Sequence, residues 1–297
     1  MNDRSPPRLT SAARLRASLK NDALVVAPGV HDPLTARIIE SLGFPAAYLG
    51  GNALGLQLCV GQPFVTLTET SHATAAISRA VDVPLIVDAG AGFGDAAHTA
   101  RAWRELEQAG AAAIHIDDQV YPKRAHYHRG RGRLADTRIV AGKLGAAVAA
   151  RRDHDVTLIA RTDAWRVTKS LDETITRGRS FADVGVDALL VLDLGPDDAS
   201  RVRQELPDLP LVWIGGIAEP VPDRAALEAA GFTILLYPFN TVAALIEAVT
   251  AAWKSYCDSG RPARPAVPTP ETLQTALRLV EMEKYWNIEQ RTVEAGD

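Results

Sequence analysis

Cysteine is scarce: Cys59 and Cys257 are the only two in 297 residues. Two cysteines exclude a disulfide framework, their spacing fits no metal motif, and a reducing compartment is the expected setting. Cys59 reads most simply as a small buried apolar side chain. Long apolar runs are also missing. None approaches the roughly 20 residues that a membrane-crossing helix requires. The first twenty residues carry basic side chains without an apolar stretch, so no secretory leader is expected and the cytoplasm is the expected location. Nor is there a large excess of one charge. With 36 acidic residues against 32 basic ones the net charge is −4, which gives no electrostatic reason to expect nucleic acid or an acidic membrane surface as a partner. A small anionic ligand would need a local basic pocket instead.

What is abundant is apolar sequence with a regular rhythm. Hydrophobic residues make up 47% of the chain and charged residues 23%, enough for a large core. Strand-length apolar runs recur at 24–27, 46–49, 84–87, 112–116, 156–160, 187–192, 210–214 and 233–237. Segments of helical periodicity follow each of them, from Leu34–Leu42 to Thr241–Tyr256. Several end in the glycine expected just past a helix, at Gly43, Gly110, Gly185 and Gly231. Eight strands alternating with eight helices predict an α/β fold, a (β/α)8 TIM barrel over residues 1–257, with a short helix at 10–20 closing one end. Residues 258–297 read as a C-terminal helical extension beyond a Gly/Pro/Arg-rich break. Within it, Pro270–Tyr285 shows one helical pattern that offers Leu273, Leu277, Leu279, Val280 and Met282 for burial, on its own barrel or on a second copy. Self-association, as a dimer or tetramer, is the simplest outlet.

A parallel barrel places its chemistry at the C-terminal ends of its strands. Here those ends carry a consistent set. Strand 2 ends in Gly50-Gly51-Asn52, a bare backbone able to aim N–H groups at an anion. Strand 3 supplies Asp88, strand 4 His115 and Asp117, strand 5 Arg161 and Asp163, and strand 6 Asp193. Carboxylates facing an arginine and a glycine-rich turn suit a divalent cation holding an oxyacid, with Mg²⁺ or Mn²⁺ favoured by all-oxygen ligands. Structural alternatives stay open: Asp88 and Asp117 as strand-end caps, Arg161 as a structural ion pair, His115 as a satisfied core histidine and Asp118 as a loop or cap residue.

At these residues the chain resembles the isocitrate lyase and phosphoenolpyruvate mutase superfamily. The matching words are Pro-Gly-Val-His-Asp-Pro-Leu-Thr-Ala-Arg (28–37), Tyr-Leu-Gly-Gly (48–51), Thr-Leu-Thr-Glu (66–69), the Asp88 strand, His-Ile-Asp-Asp-Gln (115–119), Pro-Lys-Arg (122–124) and Ile-Ala-Arg-Thr-Asp-Ala (159–164). The resemblance implies a barrel whose last helix is exchanged between subunits, and Mg²⁺-assisted formation of a 2-oxo-acid enolate by C–C or P–C cleavage. It also implies roles: Gly50, Gly51 and Asn52 bind a carboxylate, as does Arg161; Asp88 and Asp117 hold the metal; His31 stands where a substrate-facing Tyr is usual; Lys123 and His126 lie on the catalytic loop after strand 4. Asp193, from its strand-end position, is a further candidate for substrate binding.

Three departures bear on activity. The usual strand-3 word has a second carboxylate where this chain has Gly90, and a further family acid is missing near Gly61-Gln62. The lyases carry a loop cysteine as proton carrier where this chain has Ala125. His126 or a neighbour is the candidate replacement, since histidine titrates near neutrality, and His126 with His128 and Asp88 would make an alternative transition-metal site. The basic run Arg124–Arg133 reads either as a solvated loop or as a lid over an anion. The expected function is a C–C lyase or decarboxylase acting on a small 2-oxo or 2-hydroxy dicarboxylate. Phosphonopyruvate-type hydrolysis or mutation is the alternative, along with a carboxylate-binding barrel that has lost the chemistry.

Overall fold

The eight apolar runs form eight parallel strands that close on themselves in sequence order, β1 pairing with β8. The structure, a computed structural model, describes residues 9–21, 23–129, 132–262, 264 and 266–292. Strands β1 Val25–Val30, β2 Ala47–Leu49, β3 Leu85–Asp88 and β4 Ala113–Asp117 make one half of the barrel. Strands β5 Thr157–Thr162, β6 Ala188–Val191, β7 Leu211–Ile214 and β8 Phe232–Tyr237 make the other. Nearly every strand residue is buried, as expected when helices cover the outside and side chains fill the inside.

The covering helices are α1 Ser11–Lys20, α2 Pro33–Ser41, α3 Gly51–Gln57, α4 Leu67–Ala80, α5 Ala96–Gln108, α6 Thr137–Ala150, α7 Ala164–Thr168, α8 Leu171–Ala182, α9 Pro196–Glu205 and α10 Arg224–Ala229. Their starts are written locally. The Asp32 carboxylate accepts the Thr35 N–H at 2.7 Å, and the Thr66 N–H donates to Glu69 Oε2 at 2.8 Å, two capping boxes of the kind that stabilise a helix start by about 1 kcal/mol. Helix α5 buries Thr99, Ala102, Trp103 and Leu106, the 3-and-4 spacing of one helix face, on the barrel wall. Helices α3 and α7 were not among the periodic segments. Each is only a turn or two long and directly follows a strand, too short for periodicity to register.

Residues up to Thr241 form one compact unit and those from Val242 a second. The second holds most of α11 (Asn240–Ser259), together with α12 (Pro270–Leu279) and α13 (Met282–Glu289). The single helix expected over 270–285 is two, because Glu281 takes a left-handed conformation (φ 56°) that an α-helix cannot continue through. Leu273, Leu277 and Val280 are exposed. Among the described residues no helix is long and apolar enough to cross a membrane.

Candidate active site

Barrel register brings the strand-end residues together. In β3 and β4, Asp88 lies beside His115; in β4 and β5, Asp117 lies beside Arg161. Residues paired across parallel strands point to the same side, and so do residues two apart in one strand. Asp88, His115, Asp117 and Arg161 therefore share the barrel interior at its C-terminal end, and all four are at most 5% exposed. Tyr48 of β2 joins them, its hydroxyl hydrogen-bonded to His115 Nε2 at 2.9 Å.

Asp88 is held by three N–H donors. Its Oδ2 accepts from the Gly51 backbone at 3.1 Å and the Gln62 side chain at 3.3 Å, and its Oδ1 accepts from the Gly90 backbone at 2.8 Å. Position 51 is tight: a Cβ there would lie 3.1 Å from both Asp88 Oδ2 and Gln62 Nε2, so either side chain would have to give way. Burial by itself would raise the Asp88 carboxyl, but His115, Lys123, Arg161 and the Gly90 N–H outweigh it and hold it well below the usual carboxylate range. Burial pushes the His115 imidazole down from its usual value. Asp117 is lowered as well: burial opposes ionisation, and Lys123 and Arg161 overcome it.

Around this core lies a second layer of bonds. Arg161 Nε donates to Asp163 Oδ1 at 2.9 Å, Gln119 Nε2 donates to Asp163 Oδ2 at 2.6 Å, and the Gln119 N–H donates to Asp117 Oδ1 at 3.2 Å. Asp118 is the largest surprise. It lies in the loop just past β4 yet is fully buried, and it accepts from the Thr162 hydroxyl at 2.6 Å, the Asp163 N–H at 2.9 Å and Arg177 Nη1 at 3.2 Å, tying β4, β5 and α8 together. Burial pushes its carboxyl up to about 6 despite those donors.

A cavity of about 340 Å³ opens over the strand ends, walled by Gly50, Gly51, Asn52, Gln62, Asp88, Arg161, Arg166 and Asp193 on its polar side and by Leu192, Ile214, Ile217 and Phe239 on its apolar side. Most of the expected site residues thus meet there. Their expected uses change in two places. The Gly51 N–H is spent on Asp88, and Asp193 is held by Arg166, with Nε to Oδ2 at 2.5 Å and Nη2 to Oδ1 at 2.7 Å. His31 is buried just beyond β1, 3.6 Å from the Asp32 carboxylate, and is not among the residues that line the cavity. His126 is exposed on a 3-10 turn, Ala125–Arg129. The His128 side chain lies outside the described residues. Cys59 is exposed, not buried, because it ends the α3 segment with φ 55° at the surface.

Gln62, Arg166 and the Tyr48 hydroxyl were not singled out from the sequence. Gln62 occupies the loop where a family acid was sought, and Arg166 follows Arg161 by five residues across a strand end, which were the available signals.

A divalent cation does not fit the donor set. Asp88 is engaged on both oxygens, and Lys123 Nζ lies 2.6 Å from Asp117 Oδ2. Positions 62 and 90 contribute an amide and a glycine instead of carboxylates. The recess that Gly90, Tyr121 and Lys123 form with Gly51, Gln62 and Asp88 measures about 30 Å³, room for a water or two. Among the described residues no group of three or more His, Cys, Asp or Glu side chains is arranged to hold a metal.

The fold and site define a (β/α)8 barrel with an arginine-walled cavity over buried strand-end carboxylates. The chain belongs to the phosphoenolpyruvate phosphomutase family, whose model matches residues 15–256. It is similar to 2,3-dimethylmalate lyase of Eubacterium barkeri, 37% identical over 250 residues that cover 82% of this chain and 86% of that one. It is also similar to oxaloacetate decarboxylase of a Bradyrhizobium species, 32% identical over 91% of this chain and 93% of that one. Among solved structures, a phosphonopyruvate hydrolase complex with oxalate and Mg²⁺ superposes with a TM-score of 0.85 at 28% identity, covering 96% of this chain and 100% of that one.

Proposed function

We propose that this chain breaks a carbon–carbon bond in a small 2-oxo or 2-hydroxy dicarboxylate, and that its reaction is decarboxylation of a 2-oxo dicarboxylate such as oxaloacetate. One observation carries this reading: two arginines, Arg161 and Arg166, wall the cavity, while on the loop after β4 Ala125 stands in the cysteine's place and His126 is exposed. Aldol-type cleavage needs a protein group to move a proton at the departing carbon. Loss of CO₂ does not.

In this reading Arg161, fixed by Asp163, binds the carboxylate beside the 2-oxo group. The bond between C3 and the departing carboxylate breaks, its electron pair moves through C2 onto the 2-oxo oxygen, and CO₂ leaves. Solvent then protonates C3 of the enolate, giving the 2-oxo monocarboxylate. Arg161 and Lys123 supply preorganised positive charge for the enolate, and Asp88 positions Gln62 and the Gly51 backbone. Mg²⁺ or Mn²⁺, implied by the resemblance, takes no part in this reading because the carboxylates that would hold it are already engaged. The relative named oxaloacetate decarboxylase supports it, since the match extends over most of both chains.

The apolar wall of Leu192, Ile214, Ile217 and Phe239 favours a second reading, cleavage of an alkyl-substituted malate. The reading also places the chain in the cytoplasm as a dimer or tetramer, with the exposed apolar residues of α12 and α13 packed on a second copy by helix exchange.

The test is 2-oxo-acid release from oxaloacetate with EDTA present to suppress the metal-catalysed background. A rate well above buffer is expected. A rate equal to buffer, with cleavage of 2,3-dimethylmalate instead, moves the assignment to the second reading. Phosphate release from phosphonopyruvate moves it to hydrolysis, and no turnover of any of the three leaves a carboxylate binder.

A further inference from the structure

We infer that Arg166 selects substrates carrying a second, distal carboxylate, and that Asp193 occupies Arg166 until such a substrate arrives. This rests on the reading above of the cavity as a carboxylate site. The two arginines of the cavity are built differently. Arg161 is 3% exposed and locked to Asp163 inside the barrel. Arg166, on the short α7 helix after β5, has its side chain 26% exposed, and its partner Asp193 is 40% exposed.

Asp193 meets Arg166 with both oxygens, 2.5 Å and 2.7 Å away, the fork geometry in which a guanidinium also takes a free carboxylate. Asp193 does so from a left-handed backbone, φ 63°, a conformation that aspartate adopts more readily than most residues other than glycine. A solvent-accessible pair contributes little net stability, so exchanging the Asp193 carboxylate for a substrate carboxylate of the same geometry comes close to even. Apolar side chains, Leu192 and Ile214, also line the cavity; they offer no competing donors to an anion and suit a short hydrocarbon. Oxalate is too small to need Arg166. A four-carbon dicarboxylate brings a second charge that requires it.

Calorimetric titration with oxalate and with succinate, an unreactive four-carbon dicarboxylate, tests this on the full chain and on three variants. Arg166→Gln is expected to weaken succinate at least tenfold and leave oxalate within twofold; Arg161→Gln weakens both. Asp193→Asn, which removes the internal competitor, tightens succinate severalfold without changing oxalate. With oxaloacetate as substrate, Arg166→Gln raises KM more than it lowers kcat. Equal weakening of both anions by Arg166→Gln, or no change in succinate for either Arg166→Gln or Asp193→Asn, overturns the inference while leaving the anion site intact. Failure of the wild-type protein to bind either anion overturns both. Thermal melts confirm that each variant is folded, and the Asp193→Asn arm decides the matter if Arg166→Gln is not.

Discussion

Lys123 Nζ lies 2.6 Å from Asp117 Oδ2, and the two side chains are 5% and 0% exposed. A buried pair of this kind is costly to break from one side because the remaining charge is stranded. Lys123→Met should therefore destabilise the fold by about 3–5 kcal/mol, and Lys123→Met with Asp117→Asn should recover a substantial part of that. Urea unfolding of the two variants checks both outcomes. A double variant no more stable than the single one would show that the pair contributes little.

The same pair bears on metal dependence. With Asp117 neutralised by Lys123 and Asp88 held by three N–H donors, turnover should change less than twofold between EDTA and millimolar Mg²⁺. The measurement is a rate in each buffer, corrected for the uncatalysed background. A tenfold activation by Mg²⁺ would contradict the fit argued above.

Asp88→Asn should lower kcat/KM by about 100-fold, the scale of loss when groups around the reacting atoms are misplaced by an ångström. The amide keeps the shape but loses the charge and presents NH₂ to one of the N–H donors on Oδ1 or Oδ2. Unchanged turnover in a folded Asp88→Asn protein would remove Asp88 from the machinery.

Asp118 gives a pH signature. Its carboxyl is raised by burial to about 6, above the usual value near 3.8, so the folded state binds the proton more tightly than the unfolded state. Stability from this group is fully present below about pH 4 and is lost as pH rises through about 6, a change on the order of 3 kcal/mol. Unfolding free energies of wild type and Asp118→Asn between pH 4 and 7, taken as a difference, should show that slope. A flat difference would mean that Arg177, Thr162 and the Asp163 N–H offset the cost of burial.

Tyr48→Phe removes the hydroxyl bonded to His115 Nε2 inside the barrel. Leaving a buried ring nitrogen unpaired should cost about 1–3 kcal/mol, read as a lower urea midpoint with an unchanged slope.

Much of the barrel was legible in advance. The βα rhythm needs only local information: apolar runs of strand length, helical periodicity and glycines just past helix ends. Boundaries moved by one to three residues at most strands, for example 156–160 against Thr157–Thr162. Expectations failed where a residue's surroundings come from distant sequence. Cys59 looked buried by residue type, yet the end of α3 puts it at the surface. Asp118 looked like a loop acid beside Asp117, yet Thr162, Asp163 and Arg177, all more than forty positions away, make it a buried acceptor. The break at Glu281 depends on one backbone conformation that side-chain periodicity does not report.

By itself the sequence determined the eightfold alternation, and with it the rule that Asp88, His115, Asp117 and Arg161 sit at strand ends, because strand period and barrel closure leave inward-facing residues no other place. Only the tertiary structure decided what each of them touches. Register set Asp88 against His115 and Asp117 against Arg161, and loops at the barrel mouth delivered Gln62 to Asp88 and Lys123 to Asp117. Those contacts join residues tens of positions apart, and charges interact over ångströms of space, not along the chain. The carboxylates that sequence spacing reserved for a cation are therefore, in the folded barrel, the anchors of its own lysine and amides.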